Sequence, residues 1–341
     1  MKKIKSIISQ EKNLAILYGV LLIVIIAFAF VFGNKMYSAR NLRSMAYQIP
    51  EFGFLALGMM LSFMMGGIDL SIVAIANTSG IFAAMIMTGR WFPNLSESAA
   101  IPIAIIVAMI SATLFGFFNG FLVAKLSATP LIATLGTMTL YTGIGMALTG
   151  GTGITSLPER FAAFGTAEVA GIPVIFLMFV VAAVLLGLVL EYTGFGRKLY
   201  LYGENPIAAR FSAINNEGMC LGVFTLIGIL SGISGLIIIS RVNSAKVGYG
   251  DTYQLQAMLV CVIGGIHPAG GRGKTAGVIC AILLMQLLSS AFTILRSSPY
   301  AKKLIWGSIL IVVMGLNYLS DLRLKRSRMR AAIKAQAQSS Q

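Results

Sequence analysis

Asp69 is the only charged residue in the 37-residue apolar stretch from Phe52 to Thr88. A carboxylate at membrane depth costs roughly 2.5–3.5 kcal/mol or more, which makes such a residue a functional candidate from the outset. It lies in Gly66-Gly67-Ile68-Asp69-Leu70-Ser71. Two glycines followed by Asp suit a break in the chain, with a new helix N-capped by Asp69. Two readings stay open: a cap at a cytoplasmic-side turn, or a discontinuous helix beside a solute path, where transporters often build their sites. Glu51, after Pro50, either sits at the outer interface or faces a polar cavity. Asn77, Thr78, Ser79, Asn119, Thr134, Thr137, Thr139 and Thr142 also fall inside apolar runs. Singly each suits a hydrogen bond to a neighbouring helix. As a set they suit a path for a hydroxyl-rich solute, with Glu51, Asp69, Asn77, Asn119 and Thr137 as its candidate lining.

No catalytic constellation accompanies them. The single histidine, His267, precedes Pro268 in a Gly-rich turn and reads as structural. Cys220, Cys261 and Cys280 lie in apolar runs without metal-ligand spacing or a disulfide framework. They read as buried small hydrophobes. Gly270-Gly271-Arg272-Gly273-Lys274-Thr275 approaches a phosphate loop. That motif needs glycine five residues before the Gly of Gly-Lys-Thr, where Pro268 stands. The chain therefore offers no nucleotide site, no metal site and no cofactor site of its own.

The elements that position these residues are membrane helices. The 341 residues are 57% hydrophobic and only 11% charged, against about 25% charged in soluble domains. Mean hydropathy is +0.87. A soluble enzyme or nucleic-acid binder is excluded, so the net charge of +15 belongs to membrane orientation rather than to nucleic acid. The runs are too long and too uniformly apolar for the alternating strands of a β-barrel. About ten segments approach the length of a helical span: 14–32, 45–65, 69–88, 100–123, 129–149, 171–192, 218–240, 253–266, 274–295 and 302–319. The fourteen-residue eighth segment is short for a full crossing. The basic start resembles a signal peptide, but the run from Leu14 to Phe32 is too long for one and is read as a retained first span.

With the N-terminus inside, inner segments carry 16 basic residues and outer segments 10. Arg323, Lys325, Arg326, Arg328 and Arg330 contribute much of that bias. The expected fold is an all-α polytopic bundle, a single transmembrane domain over 1–341 with both termini cytoplasmic and a basic tail over 320–341. Gly116/Gly120 and Gly228/Gly232 have G-x-x-x-G spacing and Ser231/Gly235 is a small pair, expected to pack helices within the chain. Met64-Met65-Gly66-Gly67-Ile68-Asp69 is echoed by Val262-Ile263-Gly264-Gly265-Ile266-His267, 198 residues later. The echo is either an internal repeat or coincidence in a glycine-rich chain.

The longest inner loop, 193–218, holds a second signal. Asn205-Pro206 reads as N-cap and first helical residue, opening a helix that runs to Ile214. Ala208, Ala209 and Ser212 would give it a small-residue face. Such a helix is marginal alone, so it either lies on the lipid surface or docks into another protein.

The Gly66–Ser71 motif, the loop Gly203-Glu204-Asn205-Pro206-x-Ala208-Ala209-x-x-Ser212-Ala213-Ile214, and Gly264-Gly265 followed by Gly270-Gly271-x-Gly273 occur in this order. In this combination the chain resembles the transmembrane permeases of bacterial ABC importers of the ribose/galactose/xylose type, kin to branched-chain amino-acid permeases. The resemblance covers most of the chain. It implies a multi-pass inner-membrane protein that is not itself an enzyme, paired with a second copy or a related permease. It also implies a separate ATPase that binds ATP and Mg, and a periplasmic or lipid-anchored solute-binding protein. The coupling helix of such permeases maps onto Pro206–Ile214, making Gly203, Glu204, Asn205, Pro206, Ala208, Ala209, Arg210 and Ser212 the expected coupling residues. Ala213 stands where Gly is common, and its methyl is expected to fit a short helix. His267-Pro268 stands where small or polar residues are more usual. A monosaccharide is the expected solute, with nucleosides and autoinducer-2 as alternatives. An ion-coupled secondary transporter, using Asp69 and Glu51, is the rival mechanism. A membrane enzyme acting on lipid is the more distant one.

Overall fold

The computed structural model describes residues 2–298 and 300–315, with side chains from Leu14 onward. The basic tail over 320–341, the five basic residues singled out there and the end of the 302–319 segment lie outside the described residues. Residues up to Ser297 make one compact unit and those from Ser298 a second, whose described part is helical over 300–315.

The first unit is helical almost throughout. Its elements are α1 (Lys2–Phe32), α2 (Asn34–Tyr37), α3 (Ala39–Met64), α4 (Ile72–Met87), α5 (Glu97–Ala124), α6 (Pro130–Thr149), β1 (Ile154–Thr155), α7 (Glu159–Thr166), β2 (Glu168–Val169), β3 (Ile172–Pro173), α8 (Val174–Tyr192), α9 (Gly194–Glu204), α10 (Pro206–Phe211), α11 (Asn216–Val242), β4 (Ser244–Ala245), α12 (Asp251–Ile263) and α13 (Thr275–Ile294). The strands are two-residue pairings: β1 with β4, Ile154 opposite Ala245, and β2 with β3, Glu168 opposite Pro173.

Six of these helices are long and apolar enough to cross a membrane: Leu14–Phe32, α5, α6, α8, α11 and α13. The segments read as spans at 45–65, 69–88 and 253–266 are α3, α4 and α12. Gln48, Pro50 and Glu51 make the N-terminal half of α3 less apolar, while α4 and α12 are 16 and 13 residues long. At 1.5 Å per residue α12 extends about 20 Å, short of a hydrocarbon layer of about 30 Å.

Helix α11 is the hub, packed against α3, α4 and α5. Its contact with α5 is made by the two G-x-x-x-G motifs facing one another. A methyl built on Gly116 would strike Phe224 O and Gly228, and one on Gly228 would strike Ala112 O. These motifs pack helices within the chain, as expected. Helix α4, apolar but for Asn77, Thr78 and Ser79, is almost wholly buried between α5, α6 and α11, as a helix without an extended polar face must be. The outward faces of α1, α5, α6 and α8 carry exposed Ile23, Ile106, Ile132 and Leu185. In water such faces would be costly, and against lipid they are matched.

The sequence echo has a structural counterpart. Helices α3 and α12 both end in a turn closed by a glycine at positive φ, Gly66 at +86° and Gly265 at +78°. In each, an amide reaches back five residues to a carbonyl, Gly67 N to Ser62 O and Ile266 N to Cys261 O. This is the glycine-closed helix terminus. The correspondence runs one residue out of step with the sequence echo.

Candidate functional site

The break after α3 holds Asp69 differently from expectation. Helix α4 begins at Ile72 with Ser71 as its N-cap residue, so Asp69 caps nothing. Its Oδ1 instead accepts the Ser71 amide at 2.8 Å and the Ser71 hydroxyl at 2.6 Å, closing a local turn before the helix. Gly66 permits the positive φ that ends α3, and residues 67–69 then run without regular structure. Around this segment a polar network gathers. Asn119 Nδ2 on α5 donates to Ser71 Oγ at 2.7 Å, and Tyr141 on α6 donates to Asn119 Oδ1 at 3.3 Å. Thr134 Oγ1 accepts the Leu70 amide at 3.0 Å. Gln254 on α12 donates to the Asp69 carbonyl at 3.1 Å. Asp69 and Asn119 are fully buried, and among the described residues no donor reaches Asp69 Oδ2 or Gln254 Oε1. Buried polar networks of this kind fix one arrangement of helices, and every lost partner is costly there.

Of the expected path residues, the structure joins Asp69 and Asn119 through Ser71. Thr137 is buried and donates to the Thr134 carbonyl at 3.3 Å. Asn77 is buried farther along α4. Glu51 belongs to a second cluster, whose Arg241 and Tyr47 line an open cavity with Arg43. It is buried in α3, paired with Arg241 at the end of α11, and accepts from Tyr253 at 2.5 Å. Ser234 donates to its carbonyl. Tyr47 stacks under Arg241 at 5.5 Å and donates to Glu168 at 2.9 Å, and Glu168 also pairs with Arg43 at 3.4 Å. Burying a carboxylate beside a guanidinium with hydrogen bonds to both oxygens is the arrangement that makes burial tolerable. Arg241, Tyr253, Gln254 and Tyr141 carried no signal in the sequence beyond being polar residues in apolar surroundings.

The inner loop forms as its motif requires. Asn205 Oδ1 accepts the amides of Ile207 at 3.0 Å and Ala208 at 3.1 Å, with Pro206 as the first helical residue. This satisfies the orphan donors of a helix start. The helix is shorter than expected, closing at Phe211. Ala213 lies at φ +57° and the Ile214 amide reaches back to Ala209 O. Ala213 therefore occupies the left-handed position of a helix terminus, where glycine is the unstrained residue. The expected small-residue face is also revised. Ala209 is buried inward, while Ile207 at 71% and Phe211 at 89% exposure flank exposed Ala208 and Arg210. Ser212 is exposed and its hydroxyl donates to Ala208 O. Glu204 is exposed and meets Arg272 at 4.0 Å.

Gly203 ties this loop to the bundle. A methyl there would run into Met64 O at the end of α3 and come within 2.6 Å of Gly271 N. Gly271 N donates to Met64 O at 3.0 Å. Tyr200 on α9 donates to Gly273 O at 2.8 Å. Burial pushes its phenol up to about 12, with Glu191 adding to the effect, so it remains a donor. His267 is structural, its Nδ1 accepting from the Ala269 amide at 3.1 Å. The three cysteines are free and buried. Among the described residues no group of His, Cys, Asp and Glu has the makings of a metal site.

Residues 41–314 match the family model described as branched-chain amino acid transport system / permease component. The chain is 34% identical over 314 residues to the ribose import permease protein RbsC of Haemophilus influenzae, covering 89% of this chain and 93% of that protein. It is 30% identical over 299 residues to the L-arabinose transport system permease protein AraH of Escherichia coli, covering 87% and 89%. It is 30% identical over 303 residues to the autoinducer 2 import system permease protein LsrD of an Enterobacter species, covering 86% and 90%. No solved structure matches the chain.

Proposed function

From the premise that the chain belongs to the branched-chain amino acid transport system / permease component family, we propose that it is the permease of an ATP-driven importer and translocates a monosaccharide. It is a multi-pass protein of the bacterial inner membrane and a transport component rather than an enzyme. The observation that carries the solute class is the near full-length similarity to permeases named for ribose and arabinose. LsrD supports autoinducer-2 as the second reading.

In this proposal the bundle crosses the membrane about ten times and both termini are cytoplasmic. A separate ABC ATPase holds ATP and Mg, and a solute-binding protein delivers the sugar from outside. A second copy of the chain, or a related permease, completes the channel. The face of α6 bearing exposed Gly136, Thr139 and Gly143 supports that pairing, with open space beside both glycines, because small residues let membrane helices approach closely. The ATPase grips residues 203–212. Exposed Ile207 and Phe211 on a polar loop support this docking, since apolar side chains standing out from a short helix suit a partner's groove. Asn205 and Pro206 start the helix, Gly203 anchors it, and Glu204, Ala208, Arg210 and Ser212 face outward. Closure of the ATPase pushes on this helix and switches the bundle between outward and inward access. Glu51, Asp69, Asn77, Asn119 and Thr137 hold the helices beside the path and set where it opens.

The test is to tag the chain in its native host, solubilise gently and identify what co-purifies. A stoichiometric ATPase, with ATP-driven uptake of ribose or arabinose in liposomes supplied with the binding protein, is the expected outcome. A chain that purifies alone and transports under an ion gradient without ATP would overturn the reading.

A further inference from the structure

Three sites described above share one segment. Helix α12 carries Tyr253 and Gln254 side by side in its first turns. Tyr253 bonds the Glu51 carboxylate at 2.5 Å, and Gln254 bonds the Asp69 carbonyl at 3.1 Å. Adjacent residues thus reach Glu51 and Asp69, the two buried acidic residues among the described ones. At the other end, the loop after α12 meets the inner loop. Gly271 N bonds Met64 O, and a methyl on Gly270 would stand 2.5 Å from Gly203 O and 2.8 Å from Gly66 N. A methyl on Gly271 would stand 2.7 Å from the Glu204 Cα. Three backbones, from 64–66, 203–204 and 270–271, are therefore in direct contact.

Glycines at positive φ bracket this segment. Gly248 at +94° and Gly250 at +70° precede α12, and Gly265, Gly270, Gly271 and Gly273 follow it at +78°, +89°, +72° and +135°. Glycine changes backbone conformation with little steric penalty. A 13-residue helix is rigid by comparison. A stiff rod with soft ends, hydrogen-bonded at both, moves as a body and carries displacement from one end to the other.

We propose that residues 248–273, α12 with its flanking glycines, are the connecting rod between the coupling loop and the buried residues Glu51 and Asp69, with Tyr253 and Gln254 as its positioning residues. A push on α10 reaches Gly203, passes through the glycine junction to the 270–271 backbone, and shifts α12. Tyr253 and Gln254 then pull on Glu51 and on the 67–71 segment together. This rests on the permease reading.

The experiment uses the complete assembly in liposomes: permease, its ATPase and the solute-binding protein. Gln254→Leu and Tyr253→Phe should each lower sugar uptake per ATP hydrolysed by about tenfold, the order expected for losing one buried hydrogen bond. Stimulation of ATP hydrolysis by loaded binding protein should vanish, while unstimulated hydrolysis stays at the wild-type level. Wild-type uptake and stimulation in a fully assembled Gln254→Leu complex would overturn the proposal. Hydrogen exchange on the unaltered assembly gives an independent reading. ATP with vanadate should change exchange over 248–250 and 264–273 and leave the amides inside α12 unchanged. Turnover with no change in either glycine segment would also overturn it. A wild-type assembly without ATP-driven uptake would instead sink the permease reading, and this proposal with it.

Discussion

At the scale of single residues, Asp69 and its neighbours are held by hydrogen bonds that have no substitute in the buried interior of the bundle. Asp69→Asn keeps an acceptor for Ser71 and replaces Oδ2 by an amide. Uptake is expected to fall in a normally expressed variant, and unchanged uptake would reduce Asp69 to a dispensable turn residue. Asn119→Leu removes the donor to Ser71 Oγ and the acceptor of Tyr141. It should cost about 1–3 kcal/mol, read as earlier thermal unfolding in detergent. The inner helix separates docking from folding within two adjacent positions. Ala208→Arg places a bulky charge on the exposed face and should stop transport while expression stays normal. Ala209→Arg forces the same group into a buried site and should reduce the amount of folded protein. Equal expression with normal uptake in Ala208→Arg would remove this face from the coupling contact.

At the scale of elements, the bundle depends on close helix contact. The α5–α11 interface is closed by glycine against backbone, so Gly228→Leu should wedge the pair apart. Overpacking of this kind costs about 1–3 kcal/mol or more. Gly222→Ala is the matched control on the same helix, because a methyl there meets nothing within 4 Å. It should be neutral or slightly stabilising, as glycine in a helix interior costs roughly 0.5–1 kcal/mol relative to alanine. Thermal stability of the two variants in one detergent reads both. If Gly228→Leu melts with Gly222→Ala, the contact is looser than the geometry states.

For the whole molecule, the proposed orientation predicts which positions each side of the membrane can reach. A cysteine at exposed Phe211 should react with an impermeant thiol reagent only from the cytoplasmic side. One at exposed Phe92, between α4 and α5, should react only from outside. The native cysteines are buried and give a low background. Labelling of both positions from one side would break the proposed topology, and labelling with the two sides exchanged would invert it.

The residues that specify local structure were legible in the sequence. Long apolar runs named the membrane class, because a chain with so few charges has no other way to satisfy its surface. Asn205-Pro206 named a helix start, because both residues act within one turn. The G-x-x-x-G pairs named close packing, because absence of a side chain is a property of the residue itself. What the sequence left open depended on residues far apart in the chain. The glycines before Asp69 suit either a cap at a turn or a broken helix beside a path, and the structure makes Asp69 the anchor of a turn held from α5, α6 and α12. The sequence around Glu51 suits either an interface or a cavity, and the structure pairs it with Arg241 and Tyr253, 190 and 202 positions away. The face of α10 turned outward where Ala209 turned in. Periodicity and caps are local and can be read along the chain. Pairing of buried polar groups is decided only when helices meet, since each such group accepts whatever partner the packing brings within reach.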